Sequence, residues 1–150
     1  MDDIKAKLTV LKGILDKKAE ILKQVYAVME KQELFHKTLE GADKEIMLAA
    51  ACEEKDKLVE EAEEADKVFL SIFDGFKGRL NENREIYKNE LNVLKQKIKN
   101  VTDIFVKIQV KEERNKALAQ KISCESPKIK GLKMSKGNLL KAYEKNKKMT

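Results

Sequence analysis

Across residues 4–108 the apolar side chains recur at three- and four-residue spacing, and no proline interrupts them; the single proline of the 150-residue chain is Pro127. That spacing lays a stripe along a helix, whereas a half-buried strand needs strict alternation. A chain with six glycines, eight aromatic residues and 39% Asp, Glu, Lys and Arg also lacks the turn punctuation and β-branched content of a sandwich or a doubly wound sheet. The expected fold is all-α, as one domain built of a few long helices.

The first helix is predicted over residues 3–39. Ile4, Leu11, Val25 and Leu39 fall in one heptad row, Ile14, Ile21, Val28 and Phe35 in a second, and Leu8, Leu15, Leu22 and Met29 in a third. Three adjacent rows make a face too broad for a two-stranded coiled coil, and suit a helix packed against two neighbours. Lys18 and Gln32 interrupt the first row, at little cost if their stems reach solvent.

Gly41 reads as a helix C′ glycine and Asp43 as the next N-cap, so the loop between is very short and the second helix, over 43–76, runs antiparallel to the first. Its stripe is read as Ile46, Met47, Ala50, Leu58, Ala62, Ala65, Phe69, Ile72, Phe73 and Phe76. Residues 74–79 hold Gly75 and Gly78 and are the expected second reversal, with Asn81 or Asn83 available as a cap. A continuous helix through them competes with that reading, since two glycines cost only about 2 kcal/mol in a helix interior. A third helix over 81–122 follows from Leu80, Tyr87, Leu94, Val101 and Ile108, with Leu91, Ile98 and Phe105 beside them. The architecture expected is an elongated antiparallel three-helix bundle over residues 1–126. So thin a core leaves faces available to a second copy of the chain or to a client.

Residues 127–150 differ in kind. They hold eight lysines and one acid, a net charge of +7, while the first 126 residues sum to −1. The pI near 9.1 is therefore a property of this basic segment. Ile129, Leu132, Leu139, Leu140 and Tyr143 lie close to one helical face, but Gly131, Gly137 and the dense charge make a poor isolated helix. Two readings of such a segment stand side by side: one that becomes helical when its stripe meets a partner, and a disordered tail that only solubilises the chain. The lysines also suit weak, salt-sensitive, non-specific nucleic-acid binding, although no arginine is present for bidentate base contacts and only Tyr143 is there to stack.

Catalytic chemistry has little to stand on. His36 is the only histidine, and Cys52 and Cys124 are too far apart for a metal or redox motif and read as free thiols. The carboxylates over 53–64 read as a solvated face paired with lysines, and no glycine loop cradles a phosphate. The chain is read as a non-enzyme with no metal and no cofactor. No apolar run approaches a membrane span, and Met1-Asp2-Asp3 opens no signal peptide, so a cytoplasmic location is expected.

Several stretches together resemble the FlgN-type export chaperones of bacterial flagellar secretion. They are residues 43–46 (Asp-Lys-Glu-Ile) and 54–59 (Glu-Lys-Asp-Lys-Leu-Val), 65–69 (Ala-Asp-Lys-Val-Phe), 98–104 (Ile-Lys-Asn-Val-Thr-Asp-Ile), 108–115 (Ile-Gln-Val-Lys-Glu-Glu-Arg-Asn), Ser135-Lys136 and Ala142-Tyr143. The related FliT-type chaperones are shorter. The resemblance implies a cytosolic type III secretion chaperone that binds amphipathic helices of hook-associated (filament-junction) proteins, keeps them soluble and delivers them to the export apparatus. It also implies that client contact falls on the C-terminal segment, here Leu132, Leu139, Leu140 and Tyr143. A structural coiled-coil adaptor is the alternative.

Overall fold

A computed structural model describes residues 3–119, and the fold is an all-α, up-down-up bundle of three helices, α1 (Asp3–Thr38), α2 (Gly41–Glu82) and α3 (Lys88–Ala119). α1 is the central element and packs along both neighbours. The broad three-row face accounts for this: Leu8, Leu11, Leu15, Leu22, Val25 and Met29 are all fully buried, as burial from two sides requires. Polar pairs mark the register between α1 and α2, Asp3 with Arg79, Lys18 with Asp66 and Gln32 with Cys52, so the two helices run antiparallel nearly end to end. Lys97 with Asp16, and Lys111 with Glu33, hold α3 parallel to α1.

The first reversal takes two residues, Leu39 and Glu40. Gly41 has φ +62°, the left-handed conformation that glycine adopts without a Cβ penalty, and the Leu39 N–H bonds the Phe35 carbonyl at 3.0 Å. Asp43 does not cap α2; Glu40 holds the N-cap position without a side-chain bond, and Asp43 sits in the first turn, where its charge favours the helix dipole.

The second reversal is not at residues 74–79. α2 continues through both glycines to Glu82, and the chain turns over residues 83–87, so α3 starts seven residues later than position 81. The reason is burial. Phe73, Phe76 and Leu80 continue the inner stripe, and Phe76 meets Phe73 edge-on, with ring centroids 6.1 Å apart and Lys7 over its outer face. Burying two large apolar side chains is worth about 3–6 kcal/mol, more than the roughly 2 kcal/mol that two helical glycines cost. Asn83 ends α2: its N–H bonds the Leu80 carbonyl at 3.0 Å and its amide nitrogen the Arg79 carbonyl at 2.8 Å.

Gly75 and Gly78 are exposed, and a Cβ at either meets nothing within 4 Å. Gly75→Ala and Gly78→Ala should each stabilise the bundle by up to about 1 kcal/mol, read as a higher urea midpoint at unchanged m-value. Gly41→Ala should shift the midpoint the other way, because alanine is strained at φ +62°. A rise in midpoint for Gly41→Ala, or a fall for both α2 variants, contradicts this account.

The inner stripe of α2 also departs from expectation. The buried row is Leu48, Ala51, Lys55, Val59, Ala62, Asp66, Phe69, Phe73, Phe76 and Leu80, whereas Ile46, Met47 and Ala50 are exposed. The row passes through two charged residues, which is why apolar spacing alone misplaced its first half.

Candidate functional site

The apolar core formed jointly by the three helices runs from Ile4 to Met29 on α1, and on α3 it stops at Ile108. Beyond it the packing turns polar. Lys111 pairs with Glu33 and lies over the Tyr26 ring, the Lys55 ammonium is 3.3 Å from Glu112, and the Asn115 amide donates to the Met29 carbonyl at 3.0 Å. Lys111, with Lys37 second, holds the Glu33 carboxyl down at about 2, so Glu33 keeps its charge throughout the neutral range.

Lys18 and Gln32 do not reach solvent. Both are buried, Lys18 in an ion pair with the equally buried Asp66 and Gln32 with its amide 3.5 Å from the Cys52 sulfur. Burial pushes the Asp66 carboxyl up and the Lys18 ammonium down, and the bond between them opposes both shifts. Cys52 is not a free thiol but disulfide-bonded; Cys124 lies outside the described residues.

Asn115 stands level with Met29, and Glu112 level with Lys55, so the described part of α3 leaves the hairpin end of α1 and α2 uncovered. An open cavity of about 390 Å³ forms there, lined by Leu34, Phe35, Thr38, Leu39, Asp43, Ile46 and Met47. Leu34 is 55% exposed, Ile46 65% and Met47 43%. Thr38 turns its hydroxyl inward along its own helix, donating to the Leu34 carbonyl at 2.7 Å, so the groove offers mainly carbon. Contiguous exposed apolar surface of this kind marks a binding surface more often than an accident of composition.

Phe35, Leu39, Ile46 and Met47, expected on the inner stripes, line this groove instead. Their spacing is that of core residues, and only the reach of the third helix distinguishes them from the core. Leu34 lay outside every heptad row and was missed; its position one turn before the reversal was the available signal. Leu132, Leu139, Leu140 and Tyr143, expected to contact a client, lie outside the described residues.

His36 lies beside this end, half-buried, with Nδ1 lacking a hydrogen-bond partner among the described residues; burial and the neighbouring Lys44 lower its pKa. Among the described residues no three of His, Cys, Asp and Glu are grouped to hold a metal ion, and no helix is long and apolar enough to cross a membrane. The described site can bury an apolar surface; it holds no paired nucleophile and base. No protein-family model, curated protein or solved structure matches this chain.

Proposed function

We propose that this chain is a non-enzymatic chaperone that shields an amphipathic helix of a client protein in the groove at the α1–α2 hairpin end. The observation that carries the reading is the exposure of Leu34, Ile46 and Met47 around an open cavity of about 390 Å³, the kind of surface on which an amphipathic helix lays its apolar face. The client helix exchanges an exposed stripe for this groove, while the charged outer faces keep the complex soluble. The resemblance to FlgN-type chaperones makes the client a flagellar hook-associated protein, with delivery to the export apparatus as the next step.

Leu34→Ser/Ile46→Ser should weaken binding of a hook-associated protein's terminal helix by at least about tenfold, because two exposed side chains each contribute on the order of 1 kcal/mol when buried. Both positions are exposed, so the melting temperature should hardly change. Truncation after Ser126 measures the contribution of residues 127–150 separately. Unchanged affinity in both variants would reject the assignment, and affinity lost only on truncation would move the site to the C-terminal segment.

A further inference from the structure

A second groove lies on another face, between α1 and α3. Its cavity of about 170 Å³ is lined by Tyr26, Val106, Lys107, Val110, Lys111 and Arg114. Val106 and Val110, one turn apart on α3, are about half exposed. Lys107, Lys111 and Arg114 run beside them at helical spacing, so an apolar strip and a cationic strip lie edge to edge.

The three cations are not equivalent. Lys111 is held by Glu33 and its charge is met within the bundle. Lys107 and Arg114 form no ion pair among the described residues, although the same helices pair Lys97, Lys111 and Lys116. No acid lines the groove. Two cations without an ion pair among the described residues, beside a partly exposed valine pair, favour a ligand that brings carboxylates and bulky apolar side chains together.

We propose that this groove binds an acidic amphipathic helix of another protein, its apolar residues on Val106, Val110 and the Tyr26 ring and its carboxylates on Lys107 and Arg114. Charge decides among the occupants. Residues 127–150 carry +7 and are repelled by this groove. α2 is acidic, with twelve acids against six bases, but its outward face lies away from the α1–α3 groove. A second copy docking α2 there, reciprocally or head to tail, would self-associate the free chain, so concentration-dependent association of the full-length protein without peptide would overturn the proposal. Nucleic acid needs a longer run of cations than two. The proposal is independent of the hairpin-end groove.

The test titrates the full-length chain with a labelled 18-residue helical peptide bearing leucines on one face and glutamates on the other. The same peptide with every glutamate replaced by lysine is the control. The acidic peptide should bind at least about tenfold more tightly at low salt, and the difference should shrink as salt rises. Lys107→Glu/Arg114→Glu should abolish or reverse the preference, and Val106→Ser/Val110→Ser should weaken both peptides; circular dichroism checks that each variant stays helical.

Lys95→Glu/Lys99→Glu, at exposed sites elsewhere on α3, should leave the preference intact. The proposal is overturned if the preference survives Lys107→Glu/Arg114→Glu, which would place the attraction on other lysines. Equal loss in Lys95→Glu/Lys99→Glu, or duplex DNA outcompeting the peptide through Lys107 and Arg114, overturns it as well.

Discussion

Asp66→Ala should destabilise the bundle by about 3–5 kcal/mol, the usual cost of leaving one member of a buried ion pair without its partner. Lys18 is 1% exposed and Asp66 2%, and Lys18 falls between the buried positions Leu15 and Leu22 along the central helix. With Asp66 gone, the buried Lys18 amine either loses its proton or drags water into the core, and both cost free energy. The double variant Lys18→Met/Asp66→Leu should recover most of the loss and can exceed the parent by roughly 1–4 kcal/mol, because it removes two desolvated charges together. Asp66 Oδ2 has no hydrogen-bond partner among the described residues, so the pair is incompletely satisfied there and its replacement by carbon is favoured further. Urea unfolding of the four members of this cycle gives the coupling directly. A loss below about 1 kcal/mol in Asp66→Ala would mean that the Lys18 stem reaches water after all.

Phe76→Ala should cost about 3–5 kcal/mol, and the loss should be concentrated at one end of the molecule. Phe76 is 1% exposed, packs edge-on against Phe73 and carries Lys7 over its ring. It lies between Gly75 and Gly78, so its burial is what offsets their helical cost. Without the ring, residues 77–82 retain Leu80 as their only fully buried anchor, and their amides should exchange with solvent much faster than those around Phe69. Adding Gly75→Ala and Gly78→Ala to Phe76→Ala should restore part of that protection by raising intrinsic helicity. Full protection of residues 77–82 in Phe76→Ala alone would show that something other than aromatic burial carries α2 through the glycines.

These two residues also show where reading the chain succeeds and where it stops. The rows Leu8, Leu15, Leu22, Met29 on α1 and Leu94, Val101, Ile108 on α3 are legible without coordinates, since helical period and burial coincide at each position, whereas Leu80 and Tyr87, expected in the same row of the third helix, belong to α2 and to the turn. The tight first turn is equally legible, because a left-handed residue after a long stripe is nearly always glycine. The glycine pair at 75 and 78 misled because punctuation is a local signal, while the burial that overrules it depends on where α1 places Phe73, Lys7 and the core around Phe76.

The groove residues were harder still. Ile46 and Met47 have core chemistry at helical spacing, and nothing in their own neighbourhood says that the described α3 falls short of them. Likewise Lys55 and Asp66 belong to the buried row of α2, but a charged residue counts as buried only when its partner is known, and those partners lie 57 and 48 positions away. The order of residues thus determines that the chain is helical, that its first helix packs against two neighbours, and where it first turns, because these follow from spacing along one helix. Which face of α2 is inward, how far α2 runs and which apolar side chains are left for a partner were decided by tertiary packing. These depend on the relative reach of three helices and on charges that meet only after they assemble.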